Sequence, residues 1–479
     1  MDISPPVRAA PRLRQIAELP GPRGLPWLGN ALQIERERLH QQAEAWAEEY
    51  GEVYRFALGE RQLVVLSNPE VVAAVLRDRP DGFARSTRLG DIAREFGFDG
   101  VFTANGQAWR RQRPMVMAGL DPAHIKAFFP TLVRVTERLM GRWTRAAAAG
   151  QAIDLQGDLM RYTVDVTAGL AFGTDINTVE SGQEVIQQHL DKILPALFRR
   201  LVAPFPYWRW VTLPQERALA GHLAALHTAV RGFIDAARGR LAGQPGLRER
   251  PRNLIEAMLV EREREGSALT DADVVGNVLT MLLAGEDTTA NTLAWLIWLL
   301  NENPTVILRA GAEVQAVLDG GTHPTQYEQL ARFDYLEACI HETMRLKPVA
   351  PIMILQAAQD RELAGVAIPG GTLVMCLMRP GAVAEANFPD AKAFRPERWL
   401  AGGGPAQAAS SARRVAMPFG AGPRICPGRY LAMAEMKMVA AMLLASFRID
   451  AVDAPGGKVA EERLAFTMSP VGLRMRLGK

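Results

Sequence analysis

The chain has 479 residues, 48% of them hydrophobic and 22% charged, with 55 Lys and Arg against 52 Asp and Glu. Such an apolar fraction excludes a disordered chain, and a formal charge of +3 over this length excludes nucleic-acid binding by bulk charge. Three cysteines exclude a disulfide scaffold, and Cys339, Cys376 and Cys426 lack any CxxC or Cys/His spacing suited to zinc.

The first thirty residues carry arginines and prolines without an apolar core, so neither a secretory signal nor a membrane anchor is expected there. A turn-rich arm over residues 1–25 leads into one large domain over residues 26–479, expected in the cytoplasm. A helix follows at 41–50, then strands at 54–58 and 63–66, where the apolar spacing changes from 3.6 to 2. The run Phe205-Pro206-Tyr207-Trp208-Arg209-Trp210 falls between two helical segments and has three readings: an entrance wall, a lipid contact, or packing on its neighbours.

Residues 274–300 are long and apolar enough for a bilayer, yet Glu286 and Asp287 stand at their centre, where unpartnered carboxylates are costly. A buried helix with a functional polar step removes that cost. Thr270 with Asp273 three residues on marks its start as a capping box, and Pro304 suits the first turn of the next helix. A later helix must stop near Lys347, because Pro348 cannot continue it. Strands are expected over 367–378 and after 464. The stretches 146–150, 243–251 and 402–411 read as short loops. The fold class is therefore mainly α with small β-sheets.

The segment Phe419-Gly420-Ala421-Gly422-Pro423-Arg424-Ile425-Cys426-Pro427-Gly428 carries the most chemistry. It is a glycine-containing loop running into an apolar helix over 430–444, which puts Cys426 at a helix N-terminus, where the dipole and free N–H groups favour a thiolate. Its glycines let backbone approach a bulky partner, and Arg424 can offset an anion on that partner. Such a thiolate suits a nucleophile, a redox sensor or a metal ligand, and local spacing does not choose among them. Cys339 and Cys376 read as small buried hydrophobes.

At these residues the chain resembles the cytochrome P-450 superfamily of haem-thiolate monooxygenases. The loop fits its Phe-x-x-Gly-x-Arg-x-Cys-x-Gly pattern at Phe419, Gly422, Arg424, Cys426 and Gly428. Glu342-Thr343-Met344-Arg345 is similar to its Glu-x-x-Arg helix, and Phe394-Arg395-Pro396-Glu397-Arg398-Trp399 to the motif whose arginine completes an ion-pair triad. Ala284-Gly285-Glu286-Asp287-Thr288 resembles the oxygen-activation step, and Trp109 with Arg113 the Trp-x-x-x-Arg pair. The motifs stand in the family's order from about Leu19 onward, with a likeness to bacterial soluble members of the fatty-acid-hydroxylase kind.

The resemblance implies haem b held between a long distal helix and a proximal helix that follows its ligand, Cys426. Phe419, Gly420, Gly428 and Ala284 would lie beside the haem, and Trp109, Arg113 and Arg424 would bind its propionates. Glu342, Arg345 and Arg398 would form the structural triad. Asp287 and Thr288 would deliver protons, with Ala284 and Gly285 leaving room for O2 and the helix ladder locally disturbed; Glu286 and Thr289 are weaker candidates. Phe102, Met281, Gly285, Ala350, Ile352 and Met468 fall where the family's substrate pocket is walled.

Implied partners are a small apolar substrate, O2 and a ferredoxin- or flavodoxin-type electron donor, with no nucleic acid and no membrane anchor, the protein itself a monomer. Arg110, Arg111, Arg413, Arg414, Arg429 and Lys437 cluster in sequence near these motifs and have two readings, a basic dock for the donor or a solvated face. The implied reaction is hydroxylation or epoxidation. A peroxide-driven peroxygenase, a haem-thiolate isomerase and a haem sensor are the rival readings, none of which needs a proton relay. One departure concerns residues 379–386, which read RPGAVAEA and have no charged side chain at the centre, so the local contacts of this meander are open.

Overall fold

The structure, a computed structural model, describes residues 12–478 apart from 182–184, 401–411, 413 and 458. The expected loop at 402–411 and Arg413 lie outside the described residues. The central helix runs Asp271–Asn301 and is buried over most of its length. Its capping box is present: the Asp273 N–H donates to Thr270 Oγ1 at 3.1 Å, and the Thr270 N–H to the Asp273 carboxylate at 2.9 Å. The helix Leu155–Phe172 lies along it, and the helices Asp334–Leu346 and Arg429–Ser446 pack against it from elsewhere in the core.

The expected disturbance of the ladder at 284–288 is absent. The helix stays α throughout, and the Thr280, Thr288 and Thr292 hydroxyls donate to the carbonyls of Gly276, Ala284 and Thr288 at 2.7, 2.9 and 2.8 Å. Each side chain is satisfied inside intact helical geometry, so nothing forces the turn open.

The helix expected at 41–50 spans Leu39–Tyr50, and the two strands after it form an antiparallel hairpin, Val53–Leu58 with Arg61–Leu66. Leu373–Leu377 adds in parallel to the hairpin, followed by Ile352–Ala357 and Phe83–Arg85 in antiparallel, making five strands. Neither of the last two strands was expected from the sequence. The C-terminal hairpin, Glu462–Leu464 with Met468–Pro470, and a three-stranded sheet ending in Arg474–Gly478 complete the chain. The stretch 146–150 is largely helix, ending at Ala148, and 243–251 holds one turn of helix, Gly246–Glu249. From Arg12 the N-terminal arm is tied down: Leu19 is buried with Val64, Leu66 and Val374.

The helix Asp334–Leu346 ends before Pro348 as expected and brings Glu342 and Arg345 together with Arg398 from the short turn Pro396–Trp399. The meander at 379–386 takes part through its backbone: Arg345 donates to the Ala382 and Ala391 carbonyls at 2.6 Å each. Arg379 is buried and donates to Glu44 at 2.6 Å and to Glu462 at 2.7 Å. Cys339 and Cys376 are buried thiols, and desolvation pushes Cys376 up to about 12. Among the described residues no helix is long and apolar enough to cross a membrane.

Candidate active site

Cys426 stands between the turn Gly422–Arg424 and the helix Arg429–Ser446, whose N-cap is Gly428. Its N–H donates to the Phe419 carbonyl at 2.9 Å, closing the loop on itself. Gly420 and Gly422 adopt φ of +72° and +71°. A Cβ on Gly422 would sit 2.7 Å from Arg77 Cα, so the loop lies on the helix Pro69–Arg77 too closely for any side chain. Burial pushes the Cys426 thiol up, opposed by the Gly428 N–H and by Arg113 and Arg429. The helix terminus acts in the expected direction, but in the polypeptide alone desolvation outweighs it.

Arg424 lies 4.8 Å over the Trp109 ring and donates to the Ala104 carbonyl at 2.6 Å, while Arg113 donates to the Ile425 carbonyl. Two arginines that no motif singled out join them. Arg79 donates to the Leu76 and Ala421 carbonyls at 3.0 Å each, and Arg85 to the Phe102 carbonyl at 3.1 Å. Burial, then neighbouring guanidinium charges, holds Arg85 down to about 9 and Arg79 and Arg424 down to about 10. Burial also lowers Arg113, and among the described residues no carboxylate is among the charges acting on any of the four. Arg424 Nε is buried without a partner. Buried cations left unpaired are costly, so this cradle is built for an anion.

Beside it an apolar cavity of about 190 Å³ opens between the central helix, the helix Val185–Val202, the strand Ile352–Ala357 and the tip of the C-terminal hairpin. Thr280, Leu283, Ala284 and Thr288 face it as one stripe of the central helix. Phe102, Ala350 and Ile352 line it as expected. Met281, Gly285 and Met468 do not. Met281 follows Thr280 by one residue and is turned about 100° onto the next helix face. Met468 opens the strand that follows the bend at Thr467, and its side chain is fully buried in the core. Gly285 is explained by helix contact rather than by space for a ligand, since its Cβ would meet Thr167 Oγ1 at 2.4 Å.

The cavity also has walls the sequence did not disclose, chiefly Leu197, Phe198 and Leu201 on the helix Val185–Val202 and Phe466 on the hairpin tip. Asp287 lies outside the cavity. Its carboxylate accepts from Asn291 Nδ2 at 2.8 Å and from the Thr467 hydroxyl, and it makes no hydrogen bond with Thr288. Burial pushes its pKa up against the pull of Thr467, Asn291 and Arg463. Thr289 faces Glu435 of the C-terminal helix, and the Glu286 carbonyl accepts from Thr163 at 2.8 Å.

The family model described as Cytochrome P450 matches residues 19–476. The chain belongs to the cytochrome P450 family. Pentalenene oxygenase of Streptomyces avermitilis is 28% identical, spanning 95% of this chain and 96% of its own. Cyclooctat-9-en-7-ol 5-monooxygenase and cyclooctatin synthase, both of Streptomyces melanosporofaciens, are each 28% identical over 93% and 96% of this chain and equal shares of theirs. This cytochrome P450 is thus a haem-dependent monooxygenase, and the family's cofactor is haem b with a cysteine thiolate on iron. The polypeptide fits that group: the arginine cradle suits its two propionates, and Arg424 Nε has a donor to spare.

The basic residues clustered near the proximal motifs are not all exposed. Lys437 is buried, donating to the Leu330 carbonyl at 2.8 Å and paired with Glu337, so it serves helix packing. Arg110, Arg111 and Arg414 are exposed, and Arg429 is half-buried over Tyr430. Of the aromatic run, Trp208 packs under Arg88 and Arg200 and donates to Glu95 at 2.8 Å. Phe205 and Trp210 stay 50% and 72% exposed, and none of the run lines the cavity.

Proposed function

We propose that Cys426 is the thiolate ligand and that Arg79, Arg85, Arg113, Arg424 and the Trp109 indole hold the propionates. When bound, the haem supplies two-electron reduction of O2, with one oxygen atom going to the substrate and the other leaving as water. The remaining work belongs to the chain. The cavity walls bind and orient an apolar molecule and exclude bulk water. Thr288, facing the cavity from the central helix, passes its hydroxyl proton inward and is resupplied from Asp287 once that carboxyl turns from Asn291 and Thr467 toward it.

The observation that carries this reading is the apolar cavity whose stripe on the central helix includes both Ala284 and the Thr288 hydroxyl. Its lining suits a hydrocarbon skeleton, and the names of the Streptomyces relatives support a cyclic terpenoid. Electrons come from a ferredoxin- or flavodoxin-type protein in the cytoplasm, docking on the face with Arg110, Arg111, Arg414 and Arg429, and the enzyme works as a monomer.

The test is a reduced carbon monoxide difference spectrum, followed by spin-state titration with cyclic terpene hydrocarbons and turnover with NAD(P)H and a reductase system. A red-shifted Soret band, lost in Cys426→Ser, is expected. Thr288→Ala is expected to raise the hydrogen peroxide released per NAD(P)H, because losing a general acid slows proton delivery about 100-fold or more. Product formed from added peroxide but not from NAD(P)H would overturn the reading.

A further inference from the structure

The Asp287 carboxylate, nominally the source of protons for its neighbour Thr288, is held by something else. Asn291, one turn along the same helix, donates to it at 2.8 Å and accepts from Gln156 at 3.0 Å. The Thr467 hydroxyl donates to its other oxygen. Thr288 meanwhile spends its own hydroxyl on the Ala284 carbonyl at 2.9 Å. The acid and the alcohol are adjacent in sequence but have separate partners.

Thr467 is the one group that belongs to both sides. It lines the cavity with its neighbours Leu464 and Phe466, and it is bonded to the acid behind the cavity. It sits at the tip of the hairpin Glu462–Leu464/Met468–Pro470, where the Ala465 N–H donates to the Thr467 carbonyl at 2.9 Å. Next to it Phe466 adopts φ of +92°, a conformation that a bulky side chain reaches only under restraint. One restraint is visible: the Phe466 ring meets the Phe102 ring edge-on at 6.0 Å, and both residues line the cavity. The tip is therefore a restrained element whose two anchors are an aromatic contact facing the ligand space and a hydrogen bond to the acid.

We propose that Thr467 is a positioning residue that couples filling of the cavity to proton delivery. Without substrate it clamps the Asp287 carboxyl away from Thr288. A substrate that parts Phe466 from Phe102 relaxes the tip, draws Thr467 off the carboxyl and lets Asp287 turn to the Thr288 hydroxyl. The groups facing Asp287 are Asn291 on its own helix, Thr467 and Arg463 from the hairpin, and Gln156 through Asn291. Only Thr467 of these also lines the cavity, so only it can report occupancy. The gate prevents oxygen reduction from being proton-fed before a substrate is in place. It rests on the assignment of Asp287 and Thr288 to proton delivery.

The experiment is infrared difference spectroscopy of the holoenzyme in the carboxylic-acid C=O region, with and without saturating 4-phenylimidazole as the cavity-filling probe. The Asp287 band is identified by its loss in Asp287→Asn. In the wild type the band should shift when the probe binds. In Thr467→Val it should already sit at the shifted position and not respond, whereas Thr467→Ser, which keeps the hydroxyl, should behave as wild type. Substrate-free NAD(P)H oxidation with a reductase system should rise about fivefold in Thr467→Val, the worth of one hydrogen bond between neutral groups. A wild-type band that ignores the probe, or a Thr467→Val band at the wild-type position, overturns the gate. Undiminished product coupling in Asp287→Asn is a separate result: it removes Asp287 from proton delivery, and the inference falls with that reading whatever the infrared spectrum shows.

Discussion

Arg345 and Glu342 face each other one helical turn apart with no exposed side-chain surface, the Arg345 Nε and Nη2 each 2.8 Å from a different carboxylate oxygen. Glu342 also accepts from Arg398 Nε, Trp399 Nε1 and the Arg395 N–H, all at 2.9 Å. One carboxylate thus compensates two buried guanidiniums. Replacing Glu342 by alanine leaves both without a counter-charge, and breaking a buried pair in this way costs about 3–5 kcal/mol. Glu342→Ala should therefore lose most of its denaturant midpoint and fail to retain haem. A midpoint within experimental error of wild type would mean that the carbonyls of the meander suffice to hold Arg345.

Two other buried carboxyls should respond to pH with opposite sign. Burial pushes Glu435 well above 4.5, with only Thr289 pulling it down. The folded protein then keeps a proton that the unfolded chain loses, so stability falls as pH rises above about 4.5, by about 1.4 kcal/mol per unit until the folded group ionises. Glu462 is buried too, but His40, Arg379 and Lys347 outweigh the desolvation and hold it far below 4.5. Its stabilisation is present above about pH 4.5 and disappears as pH falls. Urea unfolding between about pH 4 and 8 should show Glu435→Gln gaining on wild type as pH rises. Glu462→Gln should be destabilised at neutral pH, with the deficit shrinking in acid. Parallel curves for the two variants would contradict both assignments.

The outcome at these sites shows what a sequence discloses. The loop before Cys426, the Glu342–Arg345 pair and the start of the central helix were legible because each is fixed locally: a glycine-rich turn, an i,i+3 pair, a capping box. Arg398, 56 positions from Glu342, came only through the family resemblance. The cavity walls were legible only in part. Phe102, Ala350 and Ile352 line the cavity, while Met281 and Met468 each stand one residue from a lining position. One residue is enough: it rotates a helix face by about 100°, and past the bend at Thr467 it puts Met468 in the core. Arg79 and Arg85 were invisible for another reason. Neither stands in a motif, and their convergence with Arg113 and Arg424 exists only after the sheet and the loop at 98–105 have folded together. The same holds for Thr467 and Asp287, which are 180 positions apart.

Gly285 offers a test of its structural explanation. Its missing side chain admits Thr167 from the neighbouring helix, and a Cβ there would lie 2.4 Å from the Thr167 hydroxyl. Overpacking of this kind costs about 1–3 kcal/mol. Gly285→Ala should lower the unfolding free energy by that amount, and Thr167→Ala in the same chain should restore most of it. If the double variant is no more stable than the single one, the glycine is needed for something other than the helix contact.

The arginine cradle should behave oppositely with and without its anion. In the holoprotein, Arg424→Gln removes a charge-assisted hydrogen bond worth about 1.5–3 kcal/mol, so haem should leave about 10 to 100 times faster, measured by transfer to an excess of a haem-scavenging apoprotein. In the apoprotein the same change removes one of three buried guanidiniums, Arg79, Arg113 and Arg424, with Arg79 and Arg113 acting on Arg424 directly. Its bond to the Ala104 carbonyl is one that a glutamine amide can still supply in kind. Thermal unfolding of the apoprotein should therefore be unchanged or slightly raised in Arg424→Gln. Equal destabilisation of both forms would reduce Arg424 to a structural side chain and leave the cradle without its anion.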